Sequence, residues 1–416
     1  TGRNDWASQI AGSPSKSFFY PSVGLSWVPS STWDLGNAFS YLKLRGSIAS
    51  VGLPFPRFLT TPTYEYDATG KIWKDKTHYP IGDLKPERTI TYEVGIDARL
   101  WKNISLSASW YSADTKNQTF DPALPPSSSY TTIYLQTGHV RNTGVELSLG
   151  YSNQWRDFGW SSNFTFSWNK NEIIDLASGA LNPVTGQPLN LSELDIKGLG
   201  KAKYILKQGG TLGDLYTTSD LKFNDNGYVE VDKAGNLLLT DEGDQIYLGS
   251  VFPSENLAWR NDFRYKGINL GLLFTGRIGG ICYSATQANM DLYGVSEVSA
   301  AARDAGGVLI NGREMVDAQK WYQAIGSQSG LPQYYTYSAT NFRLQELSLG
   351  YTLPRKWFRN KMGLTVSFVG RNLWMIYCKA PFDPEAVAST GLSYQGIDYF
   401  MMPSLRSLGF NVKFEF

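Results

Sequence analysis

Apolar and polar residues alternate one by one along much of the chain, the period of an extended segment with one apolar face. In TYEVGIDARL, Tyr92, Val94, Ile96, Ala98 and Leu100 share one face and Glu93, Asp97 and Arg99 the other. ISLSASW sets Ile104, Leu106, Ala108 and Trp110 against three serines, and GVELSLGY sets Val145, Leu147, Leu149 and Tyr151 against Glu146, Ser148 and Gly150. WSSNFTFSWNKN, WRNDFRY, ELSLGY and LTVSFVGRN repeat the arrangement. With FFYPSVGLSWV, YLKLRGSIAS, INLGLLFTG and the closing SLRSLGFNVKFEF, eleven segments are predicted as strands.

The connections between them come in two lengths that alternate along the chain. Short ones fall at 29–37, 101–103, 152–157, 266–267 and 354–360; long ones run roughly 50–87, 115–141, 171–256, 278–340 and 375–403. Any single alternating segment fits a soluble β-sandwich or β-helix better than a barrel. A whole series whose short turns share one rim and whose long loops share the other fits an outer-membrane barrel. Few segments are apolar on both faces, as a soluble core of this size requires. Strands in lipid must pair all their backbone groups and leave no edge. The expectation is an all-β transmembrane antiparallel barrel wall with long extracellular loops. Counting back from a descending last strand, an odd set of eleven begins outside, whereas intact bacterial barrels have even strand numbers. Residues 1–416 are therefore expected to be the C-terminal portion of a larger barrel.

Composition narrows the reading. The net charge of +1 offers no electrostatic case for nucleic acid. Aromatics make up 14%, with 25 Tyr and 13 Trp, ring types suited to a boundary between apolar and wet surroundings. Two cysteines far apart, Cys282 and Cys378, give no disulfide framework. No apolar run approaches the length of a membrane helix. The opening TGRNDWASQI carries no signal peptide and reads as if entered in mid-protein.

An ordered series of segments then resembles one family. FFYPSVGLSW (18–27), LKPERTITYEVGID (84–97), VRNTGVELSLGY (140–151), FSWNKNEIIDL (166–176), WRNDFRYKGINL (259–270), NFRLQELSLGYTLPRKW (341–357), GRNLW (370–374) and the final PSLRSLGFNVKFEF resemble the C-terminal half of the SusC/RagA family of TonB-dependent outer-membrane transporters of Bacteroidetes. The resemblance implies about half of a 22-stranded barrel. A plug, a TonB-binding segment and a periplasmic domain would lie in the part not present here. It also implies a SusD-like surface lipoprotein as partner, with TonB-driven import of oligosaccharides or oligopeptides. Phe416 would be the terminal signal read by the barrel-assembly machinery, and outer-membrane lipids would surround the wall. A siderophore- or cobalamin-type receptor, or a non-energised structural or adhesive barrel, is the alternative.

The candidate chemistry is binding rather than catalysis. With only His78 and His139, neither a zinc-protease motif nor a Ser–His–Asp pattern can be read, and no enzyme is expected. Tyr64, Tyr66, Trp73, Tyr130 and Tyr134 are loop candidates for stacking on sugars or packing on peptide side chains. Tyr334, Tyr335 and Tyr337 are expected in loop packing or an outer aromatic girdle. Arg260, Asp262, Arg264, Glu346 and Arg371 fall on polar faces and are expected to look into the lumen, paired with one another or with the plug. Asp241, Glu242 and Asp244 around Gly243 are calcium candidates, although their spacing does not match an EF-hand loop. No other cofactor is expected.

Overall fold

The computed structural model describes residues 2–6, 17–53, 65–74, 78–79, 86–120, 122, 130, 132–133, 135–177, 187, 191–241, 243, 245–389, 391 and 394–416. Its main body is one 12-stranded antiparallel sheet in which every strand pairs with its neighbours in chain order. The strands are β1 (Gly2–Trp6), β2 (Ser17–Trp27), β3 (Phe39–Leu53), β4 (Glu87–Leu100), β5 (Ile104–Phe120), β6 (Leu135–Trp155), β7 (Phe158–Asp175), β8 (Glu255–Tyr265), β9 (Ile268–Ile278), β10 (Asn341–Leu353), β11 (Gly363–Cys378) and β12 (Ser407–Glu415).

All eleven expected strands are present. The twelfth, β1, pairs with β2 over Gly2↔Pro21 to Trp6↔Ser17. Its sequence, GRNDW, is too short and polar to show a period. With β1 included, the first strand rises from the short-turn rim, so the odd-number argument for a missing half loses its premise. Among the described residues, β1 pairs only with β2 and β12 only with β11, leaving two open edges.

Backbone geometry explains the short turns. Lys266 and Gly267 form a two-residue turn with φ of 45° and 89°, the left-handed pair that matches strand twist. A Cβ on Gly267 would also lie 2.7 Å from the Thr352 carbonyl oxygen, so glycine is required there. Trp101, Lys102 and Arg156 take positive φ in the neighbouring turns.

The register places the alternation on two distinct faces. One cross-strand row reads Leu44, Ile96, Ala108, Leu147, Phe166 and Leu257 across β3 to β8. The row on the opposite face reads Arg45, Gly95, Ser109, Glu146, Ser167 and Asn256. Apolar side chains stand open on the first face, Leu25 and Phe410 each 80% exposed. Rings gather near its short-turn end. Tyr151 lies 5.1 Å from Trp160, Trp160 stacks on Phe263 at 6.1 Å, and Trp155 stacks on Phe158 at 5.9 Å. Such a band of rings suits a membrane–water interface.

One polar pair interrupts the apolar face. Ser162 sits opposite Asn261, and both are served by indoles. Trp259 Nε1 donates to Ser162 Oγ at 2.9 Å and Trp160 Nε1 to Asn261 Oδ1 at 3.2 Å.

The strands continue past what a bilayer requires. β6 has 21 residues and β7 has 18, against about 9–11 for a tilted membrane strand. The buried core lies beyond the wall, where the long loops fold together. Tyr204, Leu215, Leu221, Tyr283, Ala288, Tyr322, Ile325, Leu331, Tyr335 and Ile397 form one cluster drawn from connections 176–254, 279–340 and 379–406. A second cluster packs Phe120, Leu135, Val140, Ile173, Leu194 and Leu206 over the tops of β5 to β7. Three helices in this roof, Ala285–Leu292, Glu297–Asp304 and Ala318–Ile325, start at Ser284, Ser296 and Asp317. Each of these caps accepts a hydrogen bond from a first-turn N–H.

Candidate functional site

The polar face of the sheet is the chemically organised surface. On β3 and β4, Arg45 pairs with Glu93 and stands 3.7 Å from Asp97. Lys43 lies 4.0 Å from the same carboxylate, and Ser107 donates to it at 2.7 Å. A shallow cavity of about 370 Å³ opens beside this group, lined by Arg45, Ser107, Glu146, Ser148, Thr165 and Asn256 among others.

A second group lies across β8, β10 and β11. Arg260 donates to Asp262 at 2.9 and 3.1 Å and lies 3.7 Å from Glu346. Arg371 donates to the other oxygen of Glu346 at 3.1 Å. Glu346 therefore bridges two guanidinium groups, and Arg260, Asp262, Glu346 and Arg371 form one chain of charges. Arg264 shares their face but joins no ion pair among the described residues. With Arg260 and Asp262 it lines a cavity of about 810 Å³ toward the short-turn rim. These pairs are partly solvated, so each contributes roughly 0–1 kcal/mol. Their main effect is a hydrated surface carrying charges of both signs.

The third group escaped the sequence reading. Arg343 is buried at the top of β10, where its guanidinium meets Asp383 at 2.9 and 3.0 Å and Asn341 at 3.0 and 3.1 Å. Glu385 lies 3.1 Å away and also pairs with Arg277 at 3.5 Å. Ser404 donates to Asp383 as well. The last long connection, 379–406, is thereby tied to the wall. Burial opposes ionisation of Asp383, yet hydrogen bonds from Arg343, Ser404 and the Glu385 N–H hold its carboxyl below the usual carboxylate range. Strand phase concealed Arg343. A register shift between Leu344 and Glu346 puts Arg343 and Glu346 on the same face despite their odd spacing.

The loop candidates divide. Tyr66 and Trp73 face each other across the hairpin Glu65–Asp67/Ile72–Lys74, ring centroids 5.1 Å apart and both exposed. Tyr130 is half-buried, while Tyr64 and Tyr134 lie outside the described residues. Tyr334, Tyr335 and Tyr337 take the loop-packing role: Tyr335 is buried, Tyr334 meets Trp321 edge-on and Tyr337 meets Phe382.

Asp241 is exposed, and Glu242 and Asp244 lie outside the described residues. Among the described residues no group of three or more His, Cys, Asp or Glu is placed to hold a metal. The acidic stretch before Asp241 serves its own backbone. Asp232 accepts from the Ala234 and Asn236 N–H groups and Asn224 from those of Asn226 and Tyr228, the side-chain turns that Asp and Asn favour. Phe416 follows β12, almost fully exposed.

A model of the TonB-dependent receptor-like β-barrel family matches residues 1–250. The chain belongs to that family. As a TonB-dependent receptor barrel it is an outer-membrane protein, and its apolar face is the lipid face. It is 25% identical to TonB-dependent receptor P3 of Formosa agariphila, over 100% of this chain and 43% of that receptor. It is 20% identical to TonB-dependent receptor SusC of Bacteroides thetaiotaomicron, over 80% of this chain and 32% of SusC. The chain thus spans less than half the length of these curated relatives. Its fold is that of a chain in the closed-closed RagAB peptide importer, with a TM-score of 0.70 at 19% identity, covering 99% of this chain and 45% of that one.

Proposed function

We propose that the full-length protein is a TonB-driven importer of oligosaccharides or oligopeptides, working with a SusD-like lipoprotein, and that this chain supplies the barrel wall and extracellular roof. The observation that carries the reading is one sheet with a lipid face, an aqueous face of paired charges and a folded roof of long loops. Similarity to SusC and to the RagAB peptide importer along most of this wall supports it. The two open sheet edges support closure by further strands, since unpaired backbone groups in hydrocarbon cost several kcal/mol each.

In this reading the wall performs no covalent step. Ligand enters from the roof, where Tyr66 and Trp73 offer exposed rings. A plug rests against the charged rows around Arg45 and Glu346, whose exposed pairs exchange readily with water. TonB pulls on the missing part and releases the ligand inward. Phe416 presents the terminal aromatic to the barrel-assembly machinery.

The test is uptake by cells carrying the full-length protein and its lipoprotein, across a panel of glycans and peptides. Import of one class that stops when the TonB-binding segment is deleted is expected. Import that survives the deletion refutes energised transport.

A further inference from the structure

The lipid face changes character abruptly toward the roof. Counting upward across β4 to β7, the last wholly apolar row is Val94, Trp110, Val145 and Trp168. The next row on the same face brings Lys170 opposite Thr143, the one above it brings Arg141 beside Asp114, and the third brings Arg88 opposite Lys116. Two residues of rise, tilted about 40°, lift each row by roughly 5 Å along the barrel axis. These cations therefore climb through the headgroup layer and its outer margin, directly above two tryptophans at the hydrocarbon boundary.

Their partners leave an excess of positive charge. Arg141 donates to Asp114 at 2.9 Å and Lys170 to Glu172 at 2.7 Å. Arg88 spends its Nε on Ser50 Oγ at 2.8 Å. Among the described residues neither Arg88 nor Lys116 has a carboxylate within ion-pair distance, and both are exposed. Counting Asp175, which stands opposite His139 in the third row, four cations face three carboxylates on this patch, and Asp114 is shared between Arg141 and His139. A surface built only for solubility has no reason to gather them on the lipid side, in continuous rows above the greasy band.

We propose that Arg88, Lys116, Arg141 and Lys170 form a binding surface for the phosphate groups of anionic lipid in the outer leaflet. This rests on the outer-membrane orientation adopted above. The guanidinium and ammonium groups supply charge-assisted hydrogen bonds to phosphate oxygens. Trp110 and Trp168 pack against the upper acyl chains of the same lipid.

The test uses full-length protein in a neutral detergent, titrated with bis-phosphorylated lipid A and read by native mass spectrometry. Each cation beside an anionic surface contributes roughly fivefold in affinity. Arg88→Gln/Lys116→Gln/Lys170→Gln is expected to weaken binding by at least about tenfold and to flatten its salt dependence. Dephosphorylated lipid A on the unmutated protein is expected to bind equally poorly, a comparison independent of whether the variant folds. Lys102→Gln/Lys266→Gln, at the opposite rim, is expected to leave binding unchanged. Affinity within twofold of wild type in the triple variant overturns the proposal, as does equal binding of the dephosphorylated lipid. Full displacement by millimolar inorganic phosphate marks a simple anion site and overturns it too. Loss confined to the Lys102/Lys266 variant overturns the orientation itself, a failure distinct from any change in nutrient uptake.

Discussion

Replacing Arg343 by methionine removes the cation that holds the last long connection to the wall. The Arg343 and Asp383 side chains are only 5% and 8% exposed, so water cannot take over the lost partner. Breaking one member of a buried pair costs about 3–5 kcal/mol, because the remaining charge is left desolvated. Glu385, at 32% exposure, adds little to that figure. The cost falls on local opening of 379–406 rather than on the barrel, whose strands keep their ladders. Amide exchange over 383–389 in the full-length protein is expected to accelerate by roughly a hundred- to a few-thousand-fold. Arg343→Met/Asp383→Leu should recover much of the protection, since it removes both charges. Exchange within threefold of wild type in the single variant refutes the anchoring argument. The pH dependence has a definite sign. The Asp383 carboxyl is depressed by its donors, so its contribution is complete above the unfolded carboxylate pKa, about 4. It fades only as the pH falls through the lower folded value. Protection should therefore hold at pH 5 and decline below about pH 4.

Three further outcomes follow from the two faces and the roof. Ile96→Arg, in the middle of the lipid face, should cost about 2–4 kcal/mol in equilibrium unfolding from bilayers, whereas Thr165→Arg on the exposed polar face should stay within about 1 kcal/mol. Trp160→Phe strips the donor from the buried Asn261 carbonyl oxygen and should cost about 1–3 kcal/mol; adding Asn261→Leu should return much of it in the same unfolding assay. Burial pushes the Cys282 thiol up to about 12, leaving roughly one thiolate in ten thousand at pH 8. Iodoacetamide labelling followed by mass spectrometry should find it essentially unmodified in the folded protein and rapidly alkylated once denatured.

The wall was legible because a membrane strand writes its two solvents into successive residues. Tyr92 to Leu100 need no partner to reveal their face. Trp6 and its neighbours show no such record, since five residues with three polar ones carry no period. The charged rows were visible as residue types, but that Glu346 bridges Arg260 and Arg371 depends on register between strands more than 80 positions apart. Arg343 was hidden by the bulge before Glu346, which inverts its apparent phase. The roof was the least legible part. Its core is assembled from positions such as Tyr204, Tyr283 and Ile397, held on two- to eight-residue elements too short to show a period. Tyr204, whose hydroxyl donates to the Gln395 carbonyl across 191 positions, has no local signature at all.

The alternation itself can be measured along β4. Spin labels placed singly from Tyr92 to Ala98, in full-length protein lacking Cys282 and Cys378 and reconstituted in bilayers, report collision with oxygen and with a water-soluble nickel chelate. Positions 94, 96 and 98 should favour oxygen, 92 should mark the headgroup boundary, and 93, 95 and 97 should favour the chelate or be shielded from both. A profile without that two-residue period, or one with the two sets exchanged, contradicts a wall that stands between lipid and an aqueous bore.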